Sequence, residues 1–150
     1  MSALTASAPK RTQYFASAMK YELIWQSPNV DIFYCQEFNF LKSQWHGLTI
    51  KTQIIADSEA LLKFTTQFAC KKMIIDVSKV EAPFYDIVDW VINDFGPRLN
   101  ACGINYAAWI YSENSGGRPS ADAILSHSIT ETVNIVFDNP GNAELWIKTL

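Results

Sequence analysis

The clearest hydrophobic pattern in this chain lies between residues 82 and 99. Apolar side chains recur there at helical spacing on one face, at Phe84, Ile87, Val88, Val91, Ile92, Phe95 and Leu99. A short apolar run at residues 73–77 comes just before it and is too brief to form a helix. A buried strand that leads into a long amphipathic helix predicts an α/β fold in which this helix face covers that strand.

The segments on either side complete the predicted α/β order. Residues 30–38 and 40–45 indicate a hairpin about Asn39, and residues 21–25 indicate either a short first strand or a docked arm. Helical patterns follow at 49–68, 119–127 and 139–150, and apolar runs typical of strands lie at 104–111 and 132–137. We expect the order ββαβαβαβα, a mixed sheet, and one domain over residues 20–150 after a flexible extension over residues 1–19.

Composition limits the class of protein. A net charge of −3 argues against a general nucleic-acid binder, which needs a basic surface. No apolar run approaches the roughly 20 residues that span a bilayer, so we expect no stable membrane insertion. The three cysteines are too few and too widely spaced to form a disulfide framework, which favours a reducing cytoplasmic location.

Few residues suggest catalytic chemistry. No nucleophile and base pair and no metal-ligand spacing can be named, so we expect no enzyme activity, no cofactor and no metal. Asp76 falls at the predicted end of the central strand, where ligands gather in open α/β sheets; alternatively it accepts backbone N–H groups of the next loop. Arg118 lies in a glycine-containing loop before a helix, which suggests either an anion site or a mobile loop.

Tryptophans suggest a contact surface. Trp90 falls on the polar side of the 82–99 helix beside Asp86 and Asp89, and Trp45 is a further indole that is hard to bury. The two carboxylates lie one helical turn apart; they indicate either a cation or proton-sharing pair or a solvated helix face. We expect Trp90 to lie in a homodimer interface or beneath an N-terminal arm at residues 14–25.

Several short motifs follow one another in a characteristic order. They are Trp45-His46-Gly47, Ile75-Asp76-Val77-Ser78, the series Pro83, Asp86, Trp90, Pro97-Arg98 and Gly103, and the ending Phe137-Asp138 with Ala143 and Trp146. Their order and spacing resemble the STAS/SpoIIAA-like group of small bacterial domains, which share a fold with anti-sigma factor antagonists. The resemblance implies a mixed sheet of about five strands and a role in regulation or protein interaction.

One departure from that resemblance affects the expected regulation. Anti-sigma factor antagonists carry a phosphorylatable serine at the start of the second helix, whereas residues 82–86 contain none and Ser78 is the nearest substitute. We therefore expect a non-enzymatic interaction module whose partner is another protein or a second copy. The alternative is a domain that binds a small ligand, either a lipid or a nucleotide, between helix and sheet.

Overall fold

A computed structural model describes residues 12–14 and 19–150, and these residues form one mixed sheet of seven strands in which strand order follows chain order. The strands are β1 (Thr12–Tyr14), β2 (Lys20–Gln26), β3 (Val30–Cys35), β4 (Phe40–Gly47), β5 (Lys72–Val80), β6 (Tyr106–Ile110) and β7 (Val133–Phe137). The first four pair antiparallel, and β4 to β7 pair parallel. The general α/β class with a mixed sheet is confirmed.

Helices connect the parallel strands and cover both faces of the sheet. They are α1 (Lys51–Phe68), α2 (Tyr85–Trp90), a π-helical turn (Val91–Phe95), α3 (Gly96–Ala101), α4 (Arg118–Ser126) and α5 (Pro140–Lys148). Side chains of α1 to α4 pack with one face of the sheet, which we call the multi-helix face. Side chains of α5 pack with the opposite face, which we call the α5 face.

The central strand is buried as its apolar run predicts. In register, Met73 of β5 lies between Leu41 of β4 and Ala107 of β6, and all three are buried on the multi-helix face. Side chains of the 82–99 helix cover this layer: Phe84, Ile87, Val88 and Phe95 are buried, and Val91 and Ile92 are half-buried against the same core.

Local turn and cap chemistry defines the ends of several elements. Asn39 adopts the left-handed conformation, with φ of 50°, at the tight turn between β3 and β4. Asn139 caps α5, because its Oδ1 accepts the backbone N–H of Asn142 at 2.9 Å. Both features agree with the predicted hairpin and the predicted start of the last helix.

The predicted order of elements needs correction. Four strands precede α1 in the described residues, where two were predicted, because residues 20–26 pair with β3 as a full strand and Thr12–Tyr14 pairs with β2. Part of the segment expected to be an extension therefore lies in the sheet, and Met19 is buried. The rest of that expectation, at residues 1–11 and 15–18, lies outside the described residues.

No helix in the described ranges is long and apolar enough to cross a membrane.

Candidate functional site

An apolar cavity lies on the multi-helix face. It is partly enclosed, has a volume of about 110 Å³, and is bounded by β4 to β7 on one side and by α1 to α4 with the π-helical turn on the other. Of the described residues that line it, none carries a charge. This arrangement suits a neutral, apolar molecule and disfavours a nucleotide, whose phosphates require cationic or backbone N–H partners.

Two indole rings form walls of the cavity. The Nε1 of Trp45 donates to the Ser43 hydroxyl at 3.1 Å, and the Nε1 of Trp109 donates to Oδ1 of Asn134 at 3.1 Å. Both indoles are buried. Because their N–H groups are already bonded within the protein, the rings offer apolar surface to the cavity.

The α1 wall contains a buried hydroxyl. Ser58 is 2% exposed and lines the cavity together with Ile54 and Leu61 of the same helix. Among the described residues, no hydrogen bond involves its Oγ, whereas Thr65, the other buried hydroxyl residue of α1, donates to the Leu61 carbonyl at 2.8 Å. A buried hydroxyl without a partner is rare in a folded protein and requires an explanation.

The π-helical turn forms another part of the cavity wall. Gly96 donates its backbone N–H to the Val91 carbonyl, five residues earlier, and Val91, Ile92 and Phe95 line the cavity. A Cβ atom at position 96 would lie 2.9 Å from that carbonyl oxygen, so the glycine permits the turn. Single π turns occur frequently at functional sites, because the extra residue redirects the side chains that follow.

The two tryptophans expected at a contact surface both pack with the multi-helix core. Trp90 is half-buried, packs against the multi-helix core and stacks on Phe95, with ring centroids 5.6 Å apart. Trp45 is buried in the cavity wall. The π-helical turn explains this stacking, because it brings residues five apart, here Trp90 and Phe95, onto the same side of the helix, which a regular 3.6-residue repeat does not.

Asp86 and Asp89 remain at the surface. Both are exposed on α2, and no hydrogen bond or ion pair of either carboxylate is found among the described residues. No group of three or more potential metal ligands occurs in the described part of the chain. The arrangement is that of a solvated helix face.

Asp76 and Ser78 lie together on the α5 face. Asp76 falls within β5, not at its end, because the strand continues to Val80. Its Oδ1 accepts the backbone N–H of Ser78 at 2.9 Å and the Ser78 hydroxyl at 2.6 Å. Asp76 is 1% exposed, so the geometry matches the alternative in which it binds local backbone groups.

Further ionisable groups are buried near Asp76 on this face. The Tyr21 hydroxyl donates to Oε2 of Glu144 on α5, and Nζ of Lys42 lies 5.3 Å from the Tyr21 ring centroid. Burial lowers the pKa of Lys42, although the negative charges of Asp76 and Glu144 act to raise it. Burial and the bond to Glu144 raise the pKa of Tyr21. These contacts anchor α5 to the sheet.

Among the described residues, Arg118 forms no hydrogen bond or ion pair with Asp76 or Ser78. Its Nε bonds Oδ2 of Asp122 at 3.2 Å, and its Nη1 donates to the Glu113 carbonyl at 3.4 Å. It borders an open depression at the carboxyl ends of β6 and β7. Gly116, in the loop before α4, has a packing role, since a Cβ there would lie 2.5 Å from the Glu81 backbone.

A ligand site between helix and sheet was the alternative prediction, but of the cavity-lining residues only Trp45 was named as a candidate. One signal was present in the sequence, because Ser58 is a polar residue four positions after Ile54 and three before Leu61 on the apolar face of its helix. The π-helical turn has no comparable signal apart from Gly96-Pro97, which favours a local irregularity.

No family model, curated protein or solved structure matches the chain. The geometry of the cavity is therefore the basis for assigning a function.

Proposed function

We propose that this protein is a non-enzymatic binding module whose ligand is a small, neutral, apolar molecule held in the cavity. The single observation that carries the proposal is the uncharged cavity of about 110 Å³ between the helices and the sheet. An engineered apolar cavity of roughly 150 Å³ binds benzene or xenon, so this volume suits a molecule of about one ring.

The cost of an empty cavity supports a functional role. Protein interiors are normally packed as densely as organic crystals. At about 24 cal/mol per Å³, a void of 110 Å³ costs roughly 2–3 kcal/mol of stability when nothing fills it. A bound ligand that restores the missing contacts offsets this cost, which is a large fraction of the stability of an ordinary domain.

Toluene, which is neutral and apolar, is a suitable first probe. We expect saturating toluene to raise the melting temperature of the wild type by several degrees, since a ligand at 100 times its Kd adds about 2.7 kcal/mol. The variant Ala107→Leu, which places extra carbons in the cavity, should lose this shift. The control Ala56→Leu adds the same atoms at an exposed position of α1 and should keep it. A folded wild type with no shift would contradict the proposal.

An exposed apolar surface favours a second candidate function, an interaction module that pairs with a second copy of the chain. Within the described sheet β7 pairs with β6 alone, and its exposed side chains include Val133, Ile135 and Val136. The strand contains no charged residue, whereas unpaired strand edges are usually protected by charge, proline or a bulge. The exposed edge of β7 supports self-pairing across a twofold axis.

Light scattering after size exclusion tests this second candidate. We expect the wild type to form a dimer and Val136→Lys to shift it to monomer, because a charge at the strand edge opposes pairing. Asp86→Lys, on the exposed face of α2, is the control and should leave the dimer intact. A wild type that is monomeric at every concentration would remove this candidate.

We also propose that the domain is of the STAS/SpoIIAA-like type. Three observations support this: Trp45-His46-Gly47 closes β4, Phe137 ends β7, and Trp146 of α5 packs beside Phe137 with ring centroids 5.8 Å apart. The aspartate segment departs from the expected pattern, since Asp76 lies inside its strand. A regulatory or interaction role follows from this proposal.

A further inference from the structure

The Ser58 hydroxyl distinguishes this cavity from a purely apolar void. Its side chain is 2% exposed, lies on the cavity wall, and has no hydrogen-bond partner among residues 12–14 and 19–150. A serine hydroxyl can donate one hydrogen bond and accept two. Since buried polar groups are nearly always paired, the unused capacity of Ser58 indicates a partner that enters the cavity.

Three other polar side chains of the wall are already engaged, whereas Thr49, also on the wall, is half-buried and has no side-chain hydrogen bond among the described residues. Ser43 accepts from Trp45, and Asn134 accepts from Trp109 and donates to the Thr132 carbonyl at 3.3 Å. Thr132 in turn donates to the Ile104 carbonyl at 3.0 Å. Ser58 therefore differs from these groups in being both deeply buried and free to bond a ligand.

The shape and chemistry of the wall restrict the rest of the ligand. Aromatic rings surround the cavity, contributed by Trp45, Phe84, Phe95 and Trp109. Such walls favour a flat ring through stacked and edge-to-face contacts. The absence of charge among the described lining residues disfavours carboxylates, amines and phosphates.

We infer that the cavity binds a neutral, single-ring aromatic molecule bearing one hydrogen-bonding group, of the phenol class, and that Ser58 bonds this group and determines specificity. This inference rests on the proposed function and names the ligand class of the same site. The ring occupies the apolar space, and the hydroxyl of the ligand supplies the partner that Ser58 lacks within the described protein.

Phenol and toluene make a matched pair of probes, because they differ mainly by a hydroxyl in place of a methyl group. Isothermal titration calorimetry compares their affinities for the wild type and for Ser58→Ala. We expect the variant to weaken phenol binding by about tenfold and to change toluene binding by less than about twofold. Alanine favours the helix, so the variant should remain folded. Ser126→Ala removes the same hydroxyl at an exposed position of α4 outside the cavity lining; it is the control and should alter neither affinity.

The outcomes separate the inference from the proposed function. If Ser58→Ala changes neither toluene binding nor phenol binding, the inference is wrong but the proposed binding module is unaffected. In that case an ordered water satisfies the Ser58 hydroxyl. Equal losses for both probes also overturn the inference, because the substitution then alters the whole cavity. Failure of the folded wild type to bind either probe overturns the proposed function itself.

Discussion

The two faces of the sheet are held by different kinds of contact. On the α5 face, one helix is anchored by directional bonds, with Tyr21 donating to Glu144 and Lys72 donating to the carbonyls of Ile147 and Leu150 at 2.8 and 2.9 Å. On the multi-helix face, the described contacts around the cavity are mainly apolar, and the packing leaves about 110 Å³ unfilled.

The difference shows how one sheet can combine a fixed layer with an adaptable one. Hydrogen bonds and buried charges require exact geometry, so they tie a helix to one position. Apolar contacts are individually weak and non-directional, so several helices can pack well enough to fold without filling every space. The multi-helix face is therefore the one that can accept a ligand.

The largest expected effect is on the α5 face. Glu144→Ala should lower the free energy of unfolding by about 3 kcal/mol, since it leaves the Tyr21 hydroxyl without this acceptor and removes a buried negative charge that favours protonated Lys42. Urea denaturation followed by circular dichroism measures the change.

Two controls sharpen the Glu144 result. Glu144→Gln keeps an acceptor oxygen for Tyr21 and should lose clearly less stability than Glu144→Ala. Leu145→Ala truncates the adjacent exposed side chain and should cost under about 0.5 kcal/mol. If Glu144→Ala lowers the free energy of unfolding no more than Leu145→Ala does, the polar contacts of α5 do not distinguish the α5 face from the multi-helix face.

Adjacent alanines of β6 test the two faces at a single strand. Ala108 lies in the packed core of the α5 face, so Ala108→Leu should cost about 1–3 kcal/mol through overpacking. Ala107 points to the cavity, so Ala107→Leu should cost less than about 1 kcal/mol because the new atoms enter unfilled space. The two variants are compared by urea denaturation. Equal costs would mean that the multi-helix face is as tightly packed as its counterpart.

A smaller effect, which depends on pH, is expected for the buried thiol of Cys70 on the multi-helix face. Burial raises the pKa of Cys70 from 9.0 to about 11. The folded state therefore keeps the thiol proton at a pH where the unfolded state loses it. The contribution of this thiol to the free energy of unfolding is fully present below pH 9 and is lost as the pH rises toward 11. Between pH 8 and 10 this thiol should account for a loss of about 1.4 kcal/mol.

Denaturation at several pH values measures the contribution of Cys70. Cys70→Ala should flatten the decline between pH 8 and 10 relative to the wild type. Cys35, buried on the α5 face, also has a pKa raised by burial, so Cys35→Ala should reduce the slope in the same direction. An unchanged slope in Cys70→Ala would indicate that water reaches this part of the multi-helix core.

The sequence by itself determined the local elements and the general fold class. Apolar spacing predicted the buried strand at 73–77 and the helix face that covers it, because both depend on the repeat of each element. The hairpin about Asn39 and the cap at Asn139 also followed from local chemistry, since each requires only a few neighbouring residues.

Only the tertiary structure decided the pairing of the first strands and the existence of the cavity. Trp90 stacks on Phe95 because the π-helical turn aligns residues five apart, which a regular 3.6-residue repeat does not. The hydroxyl of Ser58 faces unfilled space because α1, α2, α4 and the sheet meet around it without closing. Such a void arises from the volumes and positions of side chains far apart in the chain, a quantity that no local pattern contains.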